Sequence, residues 1–161
     1  MNKMIYIPIG IIHSPFKTIE NIPIQNSGAQ GKKGTIEIFR EYSLGLKDLE
    51  GFSHIILLYH LHKVDHLSLI VKPFMDTVEH GIFATRSPVR PNPIGLTVVK
   101  LIEIKDNKLF IENIDMLDQT PLLDIKPYLP MIDDTNDVKL GWLTGKIEQF
   151  EFMKSDERFK K

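Results

Sequence analysis

The sequence predicts a mainly β fold, a single antiparallel, barrel-like sheet with one or two short helices. Three observations lead there. Short apolar segments rich in Ile, Val, Leu and Phe recur between turn signals, and most are too short for helices. Lys105–Asn107 reads as a hairpin turn between two such segments, because Asp and Asn tolerate the backbone angles it needs. No GxGxxG occurs anywhere, so a doubly wound nucleotide-binding sheet has no support.

Strands are expected near Ile5–His13, Thr35–Phe39, His54–His62, Gly81–Thr85, Thr97–Ile104, Lys108–Leu117 and Leu140–Thr144. Tyr42–Leu49 fits one short helix, with Leu46 and Leu49 facing inward and Gly51 just past its end. Leu143, Ile147 and Phe150 keep a helical spacing ahead of the charged SDERFKK end. The expected organisation is one barrel domain over residues 1–145 and a tail, helical in part, over 146–161.

A chain of 161 residues can bury one substantial core. There is no apolar run near the ~18 residues of a membrane span. MNKMIYIPIGIIHSPF carries Pro8 and Gly10 in its apolar region and no small-residue cleavage site, so it reads as a strand-forming N-terminus rather than a signal peptide. Cysteine is absent, which excludes disulfides and zinc–thiolate sites and fits the cytoplasm. With a formal net charge of −1, any polyanion would have to be held by a local patch.

Four stretches invite chemistry. GAQGKKGT (Gly28–Thr35) has too few residues between its glycines for a phosphate loop and reads as a flexible basic loop. HIILLYHLHKVDH (His54–His66) sets His60 and His62 at strand spacing, yet only Asp65 is at hand to extend a metal shell, so rim histidines are the leading reading. Asp115, Asp118 and Asp124 lack calcium-loop spacing. DQTP suits a turn, and Asp124 between Leu123 and Ile125 would need a partner if buried.

The fourth is GIFATRSPVRPNPIGL (Gly81–Leu96). Pro88, Pro91 and Pro93 fix their own φ and hold Ser87, Arg90 and Asn92 extended. Such a stiff loop loses little further entropy when Arg86 and Arg90 engage a ligand, and a guanidinium fork suits carboxylates and phosphates. Gly95 permits a close approach as the chain returns to a strand.

ATRSPVRPNPIGL (Ala84–Leu96) followed by DQTPLLDIKPYL (Asp118–Leu129) resembles the paired signature of the TsaA-like family, whose characterised members are TrmO-type tRNA methyltransferases. IGIIHSP (Ile9–Pro15) and LEGFSHIILLYHLH (Leu49–His62) are similar to the same family, so the likeness spans about residues 5–145. The resemblance implies an S-adenosylmethionine-dependent enzyme on a small β-barrel. It also implies a homodimer with its cofactor pocket near the subunit interface, acting on N6 of threonylcarbamoyl-adenosine beside a tRNA anticodon. It places cofactor contacts at Pro23, Ile24 and Gln25 (where the family has Pro-Arg-Gln), at His62 and Lys63, at Arg86 and Leu96, and along Asn113, Ile114, Asp115 and Met116. Gln119 stands where the family commonly has glycine, and the extra C-terminal domain of longer members is not expected after residue 146.

On this reading Arg86 meets the cofactor's carboxylate, Arg90 with Asn92 meets a substrate anion, and Asp118 or Tyr128 takes the proton leaving the acceptor nitrogen, without a metal. A same-fold methyltransferase of another acceptor, and a non-catalytic cofactor- or RNA-binding module, remain the alternatives.

Overall fold

The structure, a computed structural model, describes residues 4–20, 22–23, 26–135, 138–146 and 154. Its strands are β1 (Gly10–His13), β2 (Lys33–Ile38), β3 (His54–His60), β4 (Ile70–Val71), β5 (His80–Gly81), β6 (Ile94–Lys105), β7 (Lys108–Glu112) and β8 (Thr120–Pro127). Six of them close into a barrel in the order β1-β2-β7-β6-β3-β8, every pair antiparallel, with β8 returning to β1. Closure leaves the barrel no free edge strand; only the start of β6, Ile94–Val99, runs past β7 and keeps one side unpaired. Strands β4 and β5 pair apart from it as a small ribbon. The mainly β, antiparallel barrel expected from the sequence is therefore the fold.

Alternation along the strands fills the barrel. Ile55, Leu57 and Tyr59 of β3 turn inward, as do Val99 and Leu101 of β6, to meet Ile12, Ile36, Ile38, Leu109, Ile111 and Leu122. The β6–β7 hairpin turns at Asp106, whose φ is 54°, and Asn107 Nδ2 donates to the Ile38 carbonyl at 2.6 Å. No helix of the described residues is long and apolar enough to cross a membrane.

Several elements differ from expectation. The first strand begins only at Gly10, and the third ends at His60. The strand expected through Leu117 stops at Glu112, because Asn113 takes a left-handed φ of 68° and turns the chain off the ladder. Two segments expected as strands are mostly 3-10 turns, Ile82–Ala84 and Gly141–Leu143. The expected helix over Tyr42–Leu49 is a 3-10 run, Arg40–Leu46, then a second turn, Leu49–Gly51, because Asp48 at φ 67° interrupts them. Strand β8 was not foreseen, since DQTP reads as a turn. Pro121 is its second residue, near the start of the strand, where proline is best tolerated. The helical spacing of Ile147 and Phe150 lies outside the described residues, as do Ile24 and Gln25.

Barrel topology decides where the connections fall. At one end lie the last residues of β1, β3 and β7 and the first of β2, β6 and β8. Three connections cross that rim: residues 14–32, 61–93 and 113–119. The opposite rim carries the β6–β7 hairpin and the exits of β2 and β8.

Gln119, beside β8, has a φ of 63°. A side chain in that region is strained by about 1 kcal/mol. Gln119→Gly is expected to raise stability by about 0.5–1 kcal/mol, or about 1–4 °C in thermal unfolding, despite losing an exposed contact with His13. A lower midpoint would mean that Gln119's side-chain contacts outweigh the strain.

Candidate active site at one rim of the barrel

The site is built where β6 outruns its partner. Strand β7 covers β6 only from Lys100 onward, so Ile94–Val99 pairs with β3 on one side alone. The free side is approached by the segment following Glu112, and there Thr97 Oγ1 donates to Asp115 Oδ2 at 3.4 Å. Gly95 lies opposite Tyr59 in the register, and a Cβ at Gly95 would overlap the Tyr59 ring. Absence of a side chain there lets the phenol lie across the strand, so the close approach expected at Gly95 is made by a ring rather than by backbone. The β3–β8 ladder shifts register between Leu58 and Tyr59, a bulge that re-aims the strand at the rim.

Asp115 is the chemically exposed point of this arrangement. Its Oδ1 is buried and has no hydrogen-bond partner. Burial pushes its carboxyl up to about 6, while the Thr97 hydroxyl, its own backbone N–H and the Arg86 charge pull the other way. Burial likewise raises Tyr59, and the Asp115 charge adds to it while Arg86 opposes. Asp115, Tyr59 and Arg86 therefore share one electrostatic environment, although they come from three separate segments.

The rest of the segment from Asn113 to Met116 serves packing. Asn113 Oδ1 accepts from the Gly31 N–H at 3.0 Å, and Ile114 and Met116 are buried in the barrel core. Of its four side chains, the Asp115 carboxylate is the one placed beside Thr97 and Arg86, while Ile114 and Met116 could offer only backbone. Leu96 stands exposed on the face of β6 opposite Thr97, beside exposed Ile94. Pro23, on the connection crossing the same rim, is buried and bridges to Lys154.

His62 and exposed Lys63 form the turn directly after β3. Burial, then the charges of Lys63 and His60, lower His62, which keeps its ring neutral near pH 7. Its Nδ1 lies 3.5 Å from Thr120 Oγ1. His60 sits on the outer face of the strand, and no three His, Asp or Glu side chains converge among the described residues.

The loop bearing both arginines has a core of its own. Val71, Ile82 and Val89 are buried together, with Val64 packed against them. Arg90, expected to meet a substrate anion, has one nitrogen engaged within the loop. Its Nη1 donates to the carbonyls of Thr85 at 2.8 Å, Ile82 at 3.2 Å and Ser87 at 3.4 Å, and the guanidinium lies 5.9 Å from the Phe83 ring. Arg90 Nη1 supplies a donor to the Thr85 and Ser87 carbonyls and adds to the Thr85 N–H and hydroxyl already at the Ile82 carbonyl. Arg90 thus holds the loop; Arg86, four residues earlier and exposed, carries the charge toward Asp115. Asn92 is exposed at the loop's far end.

Both proton acceptors favoured by the sequence are placed unfavourably. Asp118 takes the Ser14 N–H at 2.9 Å and the Lys17 ammonium at 2.6 Å. Burial raises its pKa, but hydrogen bonds from Lys17, Ser14 and Gln119 outweigh that and leave it below its ordinary value. It fastens two rim connections together and is a weak base. Tyr128 lies at the other end of the barrel, where its N–H donates to the His54 carbonyl and its hydroxyl donates to Asp134 at 2.9 Å. Asp124, which would have needed a partner if buried, is nearly half exposed and paired with Lys126 at 2.8 Å.

Comparison with known proteins now decides the family. The profile of the tRNA-methyltransferase O N-terminal domain matches residues 11–134. The chain belongs to that family. A probable S-adenosyl-L-methionine-binding protein of Pyrococcus abyssi is 54% identical over 154 residues, covering 96% of this chain and 84% of the relative. The human tRNA (adenine(37)-N6)-methyltransferase is 37% identical over 138 residues, which is 81% of this chain but 31% of the human protein. The crystal structure of TrmO from Pseudomonas aeruginosa superposes with a TM-score of 0.74 at 37% identity, covering 87% of this chain and 62% of that one. The chain thus spans less than two thirds of the TrmO structure and about a third of the human enzyme.

Tyr59 and Thr97 were not singled out in the sequence. The signal was present only as a glycine in one segment and a tyrosine in another, and strand register is what sets them face to face.

Proposed function

We propose that the chain is an S-adenosylmethionine-dependent methyltransferase acting on N6 of threonylcarbamoyl-adenosine beside a tRNA anticodon. The observation that carries this reading is the buried, unpartnered Oδ1 of Asp115 at the rim, in an environment shared with Arg86 and Tyr59. An orphaned buried acceptor calls for a donor from a ligand. The names of the relatives supply the ligand class, since they bind S-adenosylmethionine or methylate adenine in tRNA.

When bound, the cofactor supplies a sulfonium methyl for in-line displacement. Arg86 would hold its carboxylate, since a cation set against the sulfonium itself would be repulsive. Backbone groups of Asn113–Met116, with His62 and Lys63, would border it. Asp115 would accept the proton leaving the acceptor nitrogen, in place of Asp118 or Tyr128. A carboxylate poised near 6 can take that proton and still be ionised at pH 7. Pre-alignment by the braced loop supplies much of the remaining barrier reduction.

The test is nucleoside mass spectrometry of tRNA after incubation with protein and cofactor at low salt. One methyl is expected on threonylcarbamoyl-adenosine, little on plain adenosine, with affinity falling as salt rises. Methylation of a small acceptor with none on tRNA would favour the second reading, and cofactor binding without any transfer the third. The same reading includes a homodimer, supported by exposed Ile94 and Leu96 on β6. Sedimentation should report twice the chain mass; a monomer that binds cofactor tightly would remove the interface from the site.

A further inference from the structure

We infer that the segment Val138–Lys146 is a strap that positions the arginine loop, with Trp142 as the positioning residue for Arg86; this rests on the proposed role of Arg86 in ligand binding. The loop has two braces. From within, Arg90 satisfies the carbonyls of Ile82, Thr85 and Ser87. From outside, Trp142 Nε1 donates to the Ala84 carbonyl at 2.8 Å, across 58 residues of sequence. Ala84 ends the Ile82–Ala84 turn, where a carbonyl has no partner within the turn, and it stands two residues before Arg86.

The indole is itself fixed. It stacks on His80 at 4.5 Å between centroids and 21° between planes, and Lys146 Nζ lies 5.5 Å from its ring. Lys146 and His80 both reach Asp76 Oδ2, at 2.6 and 3.1 Å. Asp76 Oδ1 accepts the N–H groups of Thr77 and Val78. Hydrogen bonds from Lys146 and His80 hold the Asp76 carboxyl well below the usual carboxylate range. Asp76, His80, Trp142 and Lys146 thus tie the strap to the stretch leading into the loop, and the indole N–H ties it to the turn itself. The turn is also held by the Val71–Ile82–Val89 cluster, by the β4–β5 pairing, by the Ile82 N–H bond to the Leu69 carbonyl and by the Thr85 hydroxyl at the Ile82 carbonyl. Position 142 is therefore coupled to the backbone course that aims Arg86.

Trp142→Phe keeps a ring against His80 and removes only the donor. In the cofactor-free protein, amide exchange at Thr85, whose N–H bonds to the Ile82 carbonyl, is expected to quicken about three- to tenfold. The affinity for S-adenosylmethionine is expected to fall by a similar factor, seen as a raised KM with kcat near wild type, because Arg86 binds ground state and transition state alike. Trp142→Ala should exaggerate both. As Trp142 is the only tryptophan, its emission reports directly on the strap in the wild-type protein. Unchanged Thr85 exchange in a folded Trp142→Phe protein overturns the strap. Faster exchange with unchanged cofactor affinity overturns its positioning role. A wild-type protein that binds no cofactor sinks the proposed function instead, and the exchange measurement still decides the strap.

Discussion

Asp115→Asn is expected to slow methyl transfer by about 10²–10⁴-fold while making the cofactor-free protein more stable at neutral pH. Both effects come from one carboxyl group. Its pKa rises from 3.8 to about 6 on folding because burial penalises the charged form more than Thr97, its own N–H and Arg86 favour it. Between those values the folded state binds a proton that the unfolded chain has released. This group's contribution to stability therefore falls as pH rises from about 4 to about 6, and it stays unfavourable above that. Replacing the carboxylate by an amide of the same shape should recover about 1–3 kcal/mol at pH 8 and nearly nothing at pH 3. Thermal unfolding of both proteins at the two pH values measures the difference. The wild-type kcat/KM should rise through about pH 6 as Asp115 ionises, and the variant should lose that limb. A variant as active as wild type would show that the proton leaves by another route.

Arg86→Ala is expected to weaken S-adenosylmethionine binding by about 1.5–3 kcal/mol, roughly ten- to 150-fold, because a charge-assisted contact is lost. A second consequence separates this residue from a general loosening of the loop. The Arg86 charge lowers the pKa of Asp115, so its removal should move the acid limb of the rate profile to higher pH. Arg86→Lys should keep the limb and recover only part of the affinity, since an ammonium lacks the planar fork. Calorimetry with a pH series checks both. Unchanged affinity in a folded Arg86→Ala protein would remove Arg86 from the cofactor site.

Residue type and local spacing made much of this legible. The short apolar runs expected over His54–His62 and Thr97–Ile104 mark strands whatever their neighbours. The prolines of residues 88–93 require an extended course, and Asp106–Asn107 fits a tight turn. It was the family resemblance of the Ala84–Leu96 and Asp118–Leu129 motifs, not spacing, that placed Arg86 and Asp115 in one site. Distances and partners were not legible, because they depend on strand register. Arg90 was expected to read an anion, since a sequence does not show which backbone carbonyls a loop leaves unsatisfied. The Thr85 and Ile82 carbonyls point at its guanidinium only once the loop has folded over its own small core.

Asp118 and Tyr128 show the same division. They lie ten residues apart and both are chemically able to carry a proton. Strand β8 runs between them from one end of the barrel to the other, so they occupy opposite rims. The sequence by itself determined the β class, the stiff arginine loop and the acidic character of Asp115. The tertiary structure alone decided that Asp115 keeps a buried, unpaired oxygen, that Tyr59 lies over Gly95, and that Trp142 braces Ala84. Local rules act over a few residues, whereas burial and pairing across a closed sheet join groups that the chain holds far apart.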